Sequence, residues 1–439
     1  MSNTESAPQQ VIYASTFRGG QVTVPPSKSA AIRAVLCASL ARGGTLRHVQ
    51  PSQDVSAALD AAPALGAQAD FDVQAQTVTF TQAGPPQGGT VDCGESGSLL
   101  RFIIPIAAAL GGRWRFVGRG RLPQRPIGLY GDLLPAHGVA FRTEGGLPLE
   151  IEGQLCPGRF ELPGNISSQF VTGLMLALPL LPGGSEITLT SPLESRGYVD
   201  MTLEILKDYR ISITPTEHGW HVPGGQAYVP RDRAVEGDWS QAAFFLNLAA
   251  LSPQGAKVAL AGLRPDSLQG DKACVEVFRG FGLDIRWEDG LLLAQNLHAA
   301  EPFGGLRGQT LDVSQITDMV PAASVCAALS QGETRFTNAA RLRLKESDRL
   351  AAMAQAITAL GGRAYDEGDT LRVVGVQRLA GGLAQGRNDH RILMSLAGAG
   401  LRSESPVRVT EPWSIRKTYP NFYDELRNLG GGADVVQLG

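Results

Sequence analysis

Six helical stretches that lack a polar face constrain this chain more than any other feature. Each opens on polar or charged residues and then turns apolar on every side. They are PPSKSAAIRAVLCASLARG from Pro25, SGSLLRFIIPIAAALGG from Ser98, SSQFVTGLMLALPLL from Ser167, WSQAAFFLNLAAL from Trp239, TDMVPAASVCAALSQG from Thr317 and DHRILMSLAGAGL from Asp389. A helix that is apolar all round belongs in an interior. Its first backbone N–H groups, with about half a positive charge, must still end somewhere polar. Counted from Ser29, successive starts lie about seventy residues apart, longer than the familiar solenoid periods. The spacing predicts six copies of one unit.

A second pattern recurs between these stretches: a Gly-rich turn, a short β-branched run, a polar loop and an amphipathic helix. It begins at Gly44, Gly112, Gly184, Gly255 and Gly332, with a truncated last copy near Pro406. In the fifth copy Leu350, Met353, Ile357 and Leu360 form one apolar stripe. Leu65-Gly66, Phe281-Gly282, Leu360-Gly361 and Leu429-Gly430 read as helix stops. Strand-like runs follow, such as 76–81 and 370–374. A unit of this size cannot bury an all-round apolar helix alone, so several must pack together. The expected result is a mixed α/β (α+β) fold of two lobes with three units each. A strand at 10–16 would complete the lobe built by the C-terminal half. Crossings are expected near Gly20 and Glu236, giving lobes 21–235 and 1–20 with 236–439.

At 439 residues the chain exceeds what one core can organise. A formal charge of -3 argues against a nucleic-acid or membrane-surface binder, which carries a basic excess. The start MSNTESAPQQ has no basic region followed by an apolar core, so no signal peptide is expected. No apolar run reaches the ~20 residues of a membrane span; the run from Phe170 to Leu181 is interrupted by Pro179. The five cysteines are scattered without metal-ligand spacing, and Cys37 and Cys326 fall inside apolar helices. An odd number of reduced thiols fits the cytoplasm. No metal and no cofactor are expected.

Lys28, Ser27, Ser29 and Arg33 read as an anion site at the mouth of a buried helix. Ser167, Ser168 and Gln169 open another such helix, where plain N-capping would equally explain the serines. Asp318 begins an apolar helix, and capping alone could account for it. Glu346 lies between Lys345 and Arg349, as a salt-bridged acid on a helix face would. Arg402 and Arg427 are assigned as solvated surface cations.

Several longer motifs stand in order along the chain: PPSKSAAIR, CGESGSLLRF, LPQRPIG, GNISSQF, LESRGYVDMTLEIL, RLRLKESDRL, NDHRI and WSIRKTYPNFYDEL. On these the sequence resembles the 5-enolpyruvylshikimate-3-phosphate synthase family of enolpyruvyl transferases, from about Tyr13 to Leu426. The resemblance implies two lobes of three βαβαββ repeats, an inside-out α/β barrel, with the active site in the cleft between them. It implies transfer of the enolpyruvyl group of phosphoenolpyruvate to the 5-hydroxyl of shikimate 3-phosphate, with release of phosphate and without metal or cofactor. Lys28, Ser29, Arg33, Ser167, Ser168, Gln169, Ser195, Tyr198, Asp318, Arg341 and Lys345 would then hold shikimate 3-phosphate. Lys28, Gly97, Arg125, Gln169, Arg349, Arg391 and Lys417 would hold phosphoenolpyruvate. Asp318 would accept the proton of the attacking hydroxyl, Glu346 would donate one to the methylene carbon, and Lys28 would share in these transfers. His390 would position Arg391. The expected partners are the two small-molecule substrates, with no nucleic acid and no membrane, for a cytoplasmic monomer.

Some positions depart from the common family pattern. Ser27 stands where many members have Gly, Ile32 where many have Asn, Phe102 where Pro is frequent and Arg341 where Asn is frequent. Glu95-Ser96-Gly97-Ser98 replaces an Asn-Ala-Gly-Thr run. Two other readings stay open. A sister enzyme transfers enolpyruvyl to UDP-N-acetylglucosamine and carries a reactive cysteine before an Arg-Pro pair; here GRGRLPQRPIG has Arg125-Pro126 and no cysteine. A non-catalytic phosphate-binding protein is the other.

Overall fold

The all-apolar stretches form helices, and they lie in two separate hydrophobic cores. A computed structural model describes residues 9–14 and 16–437, so most of the opening MSNTESAPQQ lies outside the described residues. The buried helices are Lys28–Ala41, Gly97–Leu110, Ser168–Ala177, Trp239–Leu251, Val320–Ala328 and His390–Leu401. Every residue of the Trp239 and His390 helices is buried. Arg42, a left-handed C-cap with φ 53°, ends the first helix, and Gly111 ends the second. The fifth is preceded by a 3-10 turn at Thr317–Met319, so the α-helix itself starts later than the sequence suggests.

Six four-stranded sheets accompany the six helices among the described residues. The second unit shows the pattern. Strands Gly89–Asp92 and Gly112–Val117 flank a buried helix and pair in parallel. Then Leu149–Gly153 pairs antiparallel with the second of them and with Val139–Thr143. Alternate residues along Gly112–Val117 are buried and exposed, as expected of a sheet with one face on a core and one in water. The helices are therefore inside and the sheets outside.

Two compact units result. The N-terminal unit comprises Pro26–Glu236 with Leu268–Gly270; the C-terminal unit comprises residues up to Pro25, Gly237–Ser267 and Asp271–Gly439. Each contains three of the six sheets. The first boundary falls after Pro25 and not at residue 20, because strand Gly20–Thr23 pairs in parallel with Val258–Ala261 of the C-terminal unit. Conversely, Arg233–Ala234 pairs with Gly44–Arg47 of the N-terminal unit. The strand that leads into the first helix of each unit is thus built into the other unit's sheet.

The sixth unit is not truncated. Strand Gln9–Ala14 lies between Val407–Thr410 and Gly432–Gln437 and pairs antiparallel with both. The expected strand at 10–16 is one residue earlier at its start and ends at Ala14, with residue 15 outside the described residues.

The amphipathic helix Arg349–Ala359 buries Leu350, Met353 and Ile357, and Leu360 follows, also buried. Gly66, Gly282, Gly361 and Gly430 have φ between 80° and 115°, the left-handed turn that Gly adopts without a Cβ penalty. Arg402 is not a surface cation. It is 9% exposed, and its guanidinium donates to the carbonyls of Leu251 and Ala299 at 3.1 and 3.3 Å. No described helix is long and apolar enough to cross a membrane.

Candidate active site

In the N-terminal unit the polar mouths of the three buried helices carry the expected residues. Ser27 caps the first helix by accepting from the Ala30 N–H at 3.4 Å. Lys28 begins that helix and its ammonium lies 3.0 Å from the carboxylate of Asp54. Arg33, one turn further, is 2% exposed. Its Nε donates to Thr202 Oγ1 at 2.8 Å, Nη1 to the Ser29 carbonyl at 2.7 Å, and Nη2 to Thr172 Oγ1 and the Tyr198 carbonyl at 3.3 and 3.2 Å. The guanidinium also faces the rings of Phe102 and Tyr198 at 4.8 and 5.8 Å. Four of its five N–H groups are engaged within the protein, which leaves one Nη1 hydrogen. Burial pulls the Arg33 pKa down to about 10, against smaller upward contributions from Tyr198 and Cys37. Arg33 therefore joins Ser29 and Tyr198 into one rigid piece, a role its place in the sequence did not announce.

Ser167 caps the third helix, accepting from the Gln169 N–H at 3.3 Å. A hydroxyl that accepts at a cap keeps its own O–H to donate. Ser168 is buried beside it. The Gln169 amide is fixed at both ends: its oxygen accepts from Arg101 Nη1 at 2.6 Å and its nitrogen donates to Ser98 Oγ at 2.9 Å. Arg101 is held in turn by the Pro126 carbonyl at 3.0 and 3.3 Å. Gly97 opens the second helix under the Arg125 guanidinium, where a Cβ would collide with that side chain. Ser195 is buried in a left-handed conformation, φ 54°, at the start of the helix Arg196–Asp208, which also carries Tyr198.

In the C-terminal unit five expected residues form one ionic network. Asp318 lies in the 3-10 turn and caps no helix through its side chain. Its carboxylate receives Lys345 Nζ at 3.0 Å, Arg349 Nη1 at 2.8 Å and Arg391 Nη2 at 3.4 Å, while Arg391 Nη1 donates to the Asp318 carbonyl at 3.1 Å. Arg349 Nη2 donates to Glu346 at 2.6 Å. A single guanidinium thus touches both acids. Burial acts to raise Asp318, but Arg391, Lys345 and Arg349 together hold its carboxyl well below the usual carboxylate range. Burial draws Lys345 downward, with Asp318 opposing.

Arg349 is itself held from behind by Asp389, which is 0% exposed: Nε donates at 2.9 Å and Nη2 at 3.3 Å. Asp389 also accepts from Ser347 Oγ at 2.8 Å and caps its own helix through the Arg391 N–H at 2.9 Å. Lys417 is 5% exposed and donates to the Asn388 carbonyl at 2.7 Å, next to this hub. Arg341 is half-buried and donates to the Ser314 carbonyl at 3.2 Å. His390 is buried beside Arg391.

Sequence reasoning passed over Asp54, Arg101 and Asp389, which contact the expected residues Lys28, Gln169 and Arg349. Asp389 had a visible signal, since it opens NDHRI directly ahead of a buried helix, but a capping aspartate looks the same. Arg101 and Asp54 gave none, because each acts on a partner fixed only by folding. Among the described residues no group of three or more His, Cys, Asp or Glu could hold a metal ion.

A family model described as EPSP synthase (3-phosphoshikimate 1-carboxyvinyltransferase) matches residues 15–426. The chain is 39% identical to a 3-phosphoshikimate 1-carboxyvinyltransferase of Clostridium beijerinckii, over 96% of this chain and 97% of the relative. It is 38% identical to one from Clostridioides difficile, over 98% and 99%. In structure it is similar to an EPSP synthase from Acinetobacter baumannii, with a TM-score of 0.79 at 24% identity, covering 98% of this chain and 100% of that one. It is similar in fold to the enolpyruvyl transferase NikO from Streptomyces tendae, with a TM-score of 0.80 at 17% identity, covering 99% and 100%.

Proposed function

The chain belongs to the EPSP synthase (3-phosphoshikimate 1-carboxyvinyltransferase) family, and on that premise we propose how its residues divide the work of enolpyruvyl transfer. The enzyme moves the enolpyruvyl group of phosphoenolpyruvate onto the 5-hydroxyl of shikimate 3-phosphate and releases phosphate. Lys28, Ser29, Arg33, Ser167, Ser168, Gln169, Ser195 and Tyr198 of the N-terminal unit bind shikimate 3-phosphate, together with Asp318, Arg341 and Lys345. Gly97, Arg125, Gln169, Arg349, Arg391, Lys417 and Lys28 bind phosphoenolpyruvate. Charge-assisted bonds from arginine to phosphate and carboxylate suit this task, because the guanidinium fork matches both groups.

The chemistry needs one proton delivered and one removed. Glu346 protonates the methylene carbon as the 5-hydroxyl, relieved of its proton by Asp318, attacks the adjoining carbon. The tetrahedral intermediate then loses a proton and phosphate. The observation that carries this reading is Arg349, which binds both acids at 2.8 and 2.6 Å and fixes their relative placement. Holding groups in register in this way supplies a large share of a rate enhancement. Asp318, kept ionised by three cations, becomes a better base as anionic substrates neutralise Lys345, Arg349 and Arg391.

A phosphate-release assay with shikimate 3-phosphate and phosphoenolpyruvate tests the assignment directly. Turnover is expected with that acceptor and none with UDP-N-acetylglucosamine; the reverse outcome transfers the assignment to the sister activity. Gly97→Ala is expected to raise the KM for phosphoenolpyruvate at least tenfold, since the added methyl displaces Arg125. An unchanged KM would remove Arg125 from the site. The same reading makes the protein a monomer in the cytoplasm, acting on small acidic metabolites; sedimentation velocity tests the first of these.

A further inference from the structure

The hydroxyls assigned to the ester phosphate come from two loops of the N-terminal unit, and one side chain outside that assignment joins them. Strands Arg159–Leu162 and Ser185–Leu189 pair in parallel as far as Leu162 and Leu189. The Thr190 N–H adds a further rung to the Leu162 carbonyl at 3.0 Å. Past that point the chain leaves the sheet as loops 163–167 and 190–195. The first leads into the helix that Ser167 caps, and the second into the helix that starts after Ser195. Ser191 bridges the loops. Its Oγ accepts from the Gly164 and Asn165 N–H groups at 3.0 and 3.3 Å and donates to Asn165 Oδ1 at 3.0 Å. A serine hydroxyl has one hydrogen and two lone pairs, so its capacity is filled. A backbone bond closes the other side, from the Glu194 N–H to the Gly164 carbonyl at 3.1 Å. The approach is close: a Cβ on Gly164 would lie 2.8 Å from the carbonyl oxygens of Ser191 and Pro192. Ser195, at the far end, holds φ 54°, a conformation that a residue with a Cβ keeps only where its surroundings impose it.

We propose that Ser191 is a positioning residue for the phosphate subsite: without touching the substrate, it ties the loop that ends in Ser167 and Ser168 to the loop that ends in Ser195, so that their hydroxyls meet one ester phosphate. Without the Ser191 hydroxyl, the Gly164 and Asn165 N–H groups turn to water and the Asn165 side chain loses its hold on the neighbouring loop. Loops free to part populate arrangements that do not bind, and the apparent affinity falls by the fraction that does. No bond to the ligand is lost; the ligand must instead order loops that were ordered beforehand. Gln169, assigned to both substrates, is fixed separately by Arg101 and Ser98, so the effect falls on shikimate 3-phosphate alone. The inference rests on the assignment of Ser167, Ser168 and Ser195 to that substrate.

The test is calorimetric titration of shikimate 3-phosphate into the whole enzyme, beside steady-state kinetics with each substrate varied in turn. Ser191→Ala is expected to raise the Kd and the KM for shikimate 3-phosphate roughly ten-fold, the size that loss of one or two uncharged hydrogen bonds gives. Its kcat, and its KM for phosphoenolpyruvate at saturating shikimate 3-phosphate, should stay within about two-fold of wild type. Asn165→Ala, at an exposed position, removes the acceptor of the Ser191 hydroxyl and should raise the same Kd by a few-fold. A purely structural serine would lower the melting temperature and leave the Kd of the folded protein where it was, and that result would overturn the proposal. So would a loss shared equally by kcat and both KM values. Should Ser191→Ala fail to fold, an unchanged Kd in Asn165→Ala overturns it alone. If wild type neither binds shikimate 3-phosphate nor releases phosphate from the two substrates, it is the functional assignment that fails, and the two failures are distinct.

Discussion

Glu346→Gln is expected to bind shikimate 3-phosphate as wild type does and to lose between about a hundred- and ten-thousand-fold in kcat. The substitution keeps the size of the side chain and its hydrogen-bonding reach toward Arg349, which now binds Glu346 at 2.6 Å. It removes the ability to give up a proton, together with the carboxylate charge beside Arg349. Because shikimate 3-phosphate is assigned mainly to residues of the N-terminal unit, its affinity measured by calorimetry should stay within a few-fold. The loss should therefore appear in kcat and in kcat/KM together, the signature of an interaction made in the transition state. Rapid-quench measurement of phosphate in a single turnover locates the defect in the chemical step. Turnover within a few-fold of wild type would take Glu346 out of the mechanism and leave Asp318 and Lys28 as the proton-transfer groups.

The same side chains show what could be read from the sequence and what could not. The buried helices were legible because burial on all sides leaves a local record: no polar residue can recur at helical spacing without a partner inside. The helix ends at Gly66, Gly282, Gly361 and Gly430 were legible for a similar reason, since a left-handed turn selects glycine at a known place. The exchanged strands were not. Arg233–Ala234 is two residues long and Gly20–Thr23 four, too short to carry an alternating pattern, and their partners lie far away in sequence. That is why the first boundary was expected at residue 20 and is found after Pro25.

Among the candidate site residues, the charges stand in the sequence and their pairing does not. Arg33 looks in the sequence like an arginine aimed at a ligand. In the structure it spends four N–H groups on Ser29, Thr172, Tyr198 and Thr202, partners drawn from three helices. Arg402 looks like a solvated cation at the end of a helix. It is instead enclosed by carbonyls of Leu251 and Ala299, which no local pattern foretells. Asp318 was open to a capping explanation, and only its three cations close that option. A charge declares itself in a sequence; the groups that neutralise it come from elsewhere in the chain.

Asp389→Ala should have the second large effect, on stability and activity alike. Asp389 is fully buried and accepts four bonds, from Arg349 Nε and Nη2, Ser347 Oγ and the Arg391 N–H. Removing it leaves the Arg349 guanidinium buried with less compensating charge, and breaking a buried ion pair from one side costs about 3–5 kcal/mol. Denaturant titration at neutral pH should show that loss as a lower midpoint. The pH dependence follows from the direction of its shift. Burial acts to raise Asp389, but Arg349 and His390 more than offset it and hold its carboxyl below the ordinary value. A group depressed in the folded state contributes stability that is present above its unfolded pKa, near 4, and is lost as pH falls through the folded value. The gap between wild type and Asp389→Ala should therefore be full at neutral pH and narrow below about pH 4. A gap that stays constant into acid would mean that the cost is one of packing and capping, without an ionic part. Turnover should fall at least a hundred-fold in protein that is still folded, because Arg349 carries both Asp318 and Glu346 and a small misplacement of reacting groups is expensive. Asp389→Asn retains one acceptor oxygen, enough for the cap on the Arg391 N–H, while losing the charge and the second oxygen that takes Ser347 Oγ and Arg349 Nε, so it should recover part of the stability and little of the activity. Full recovery of both would show that Arg349 needs a hydrogen-bond acceptor behind it and no negative charge.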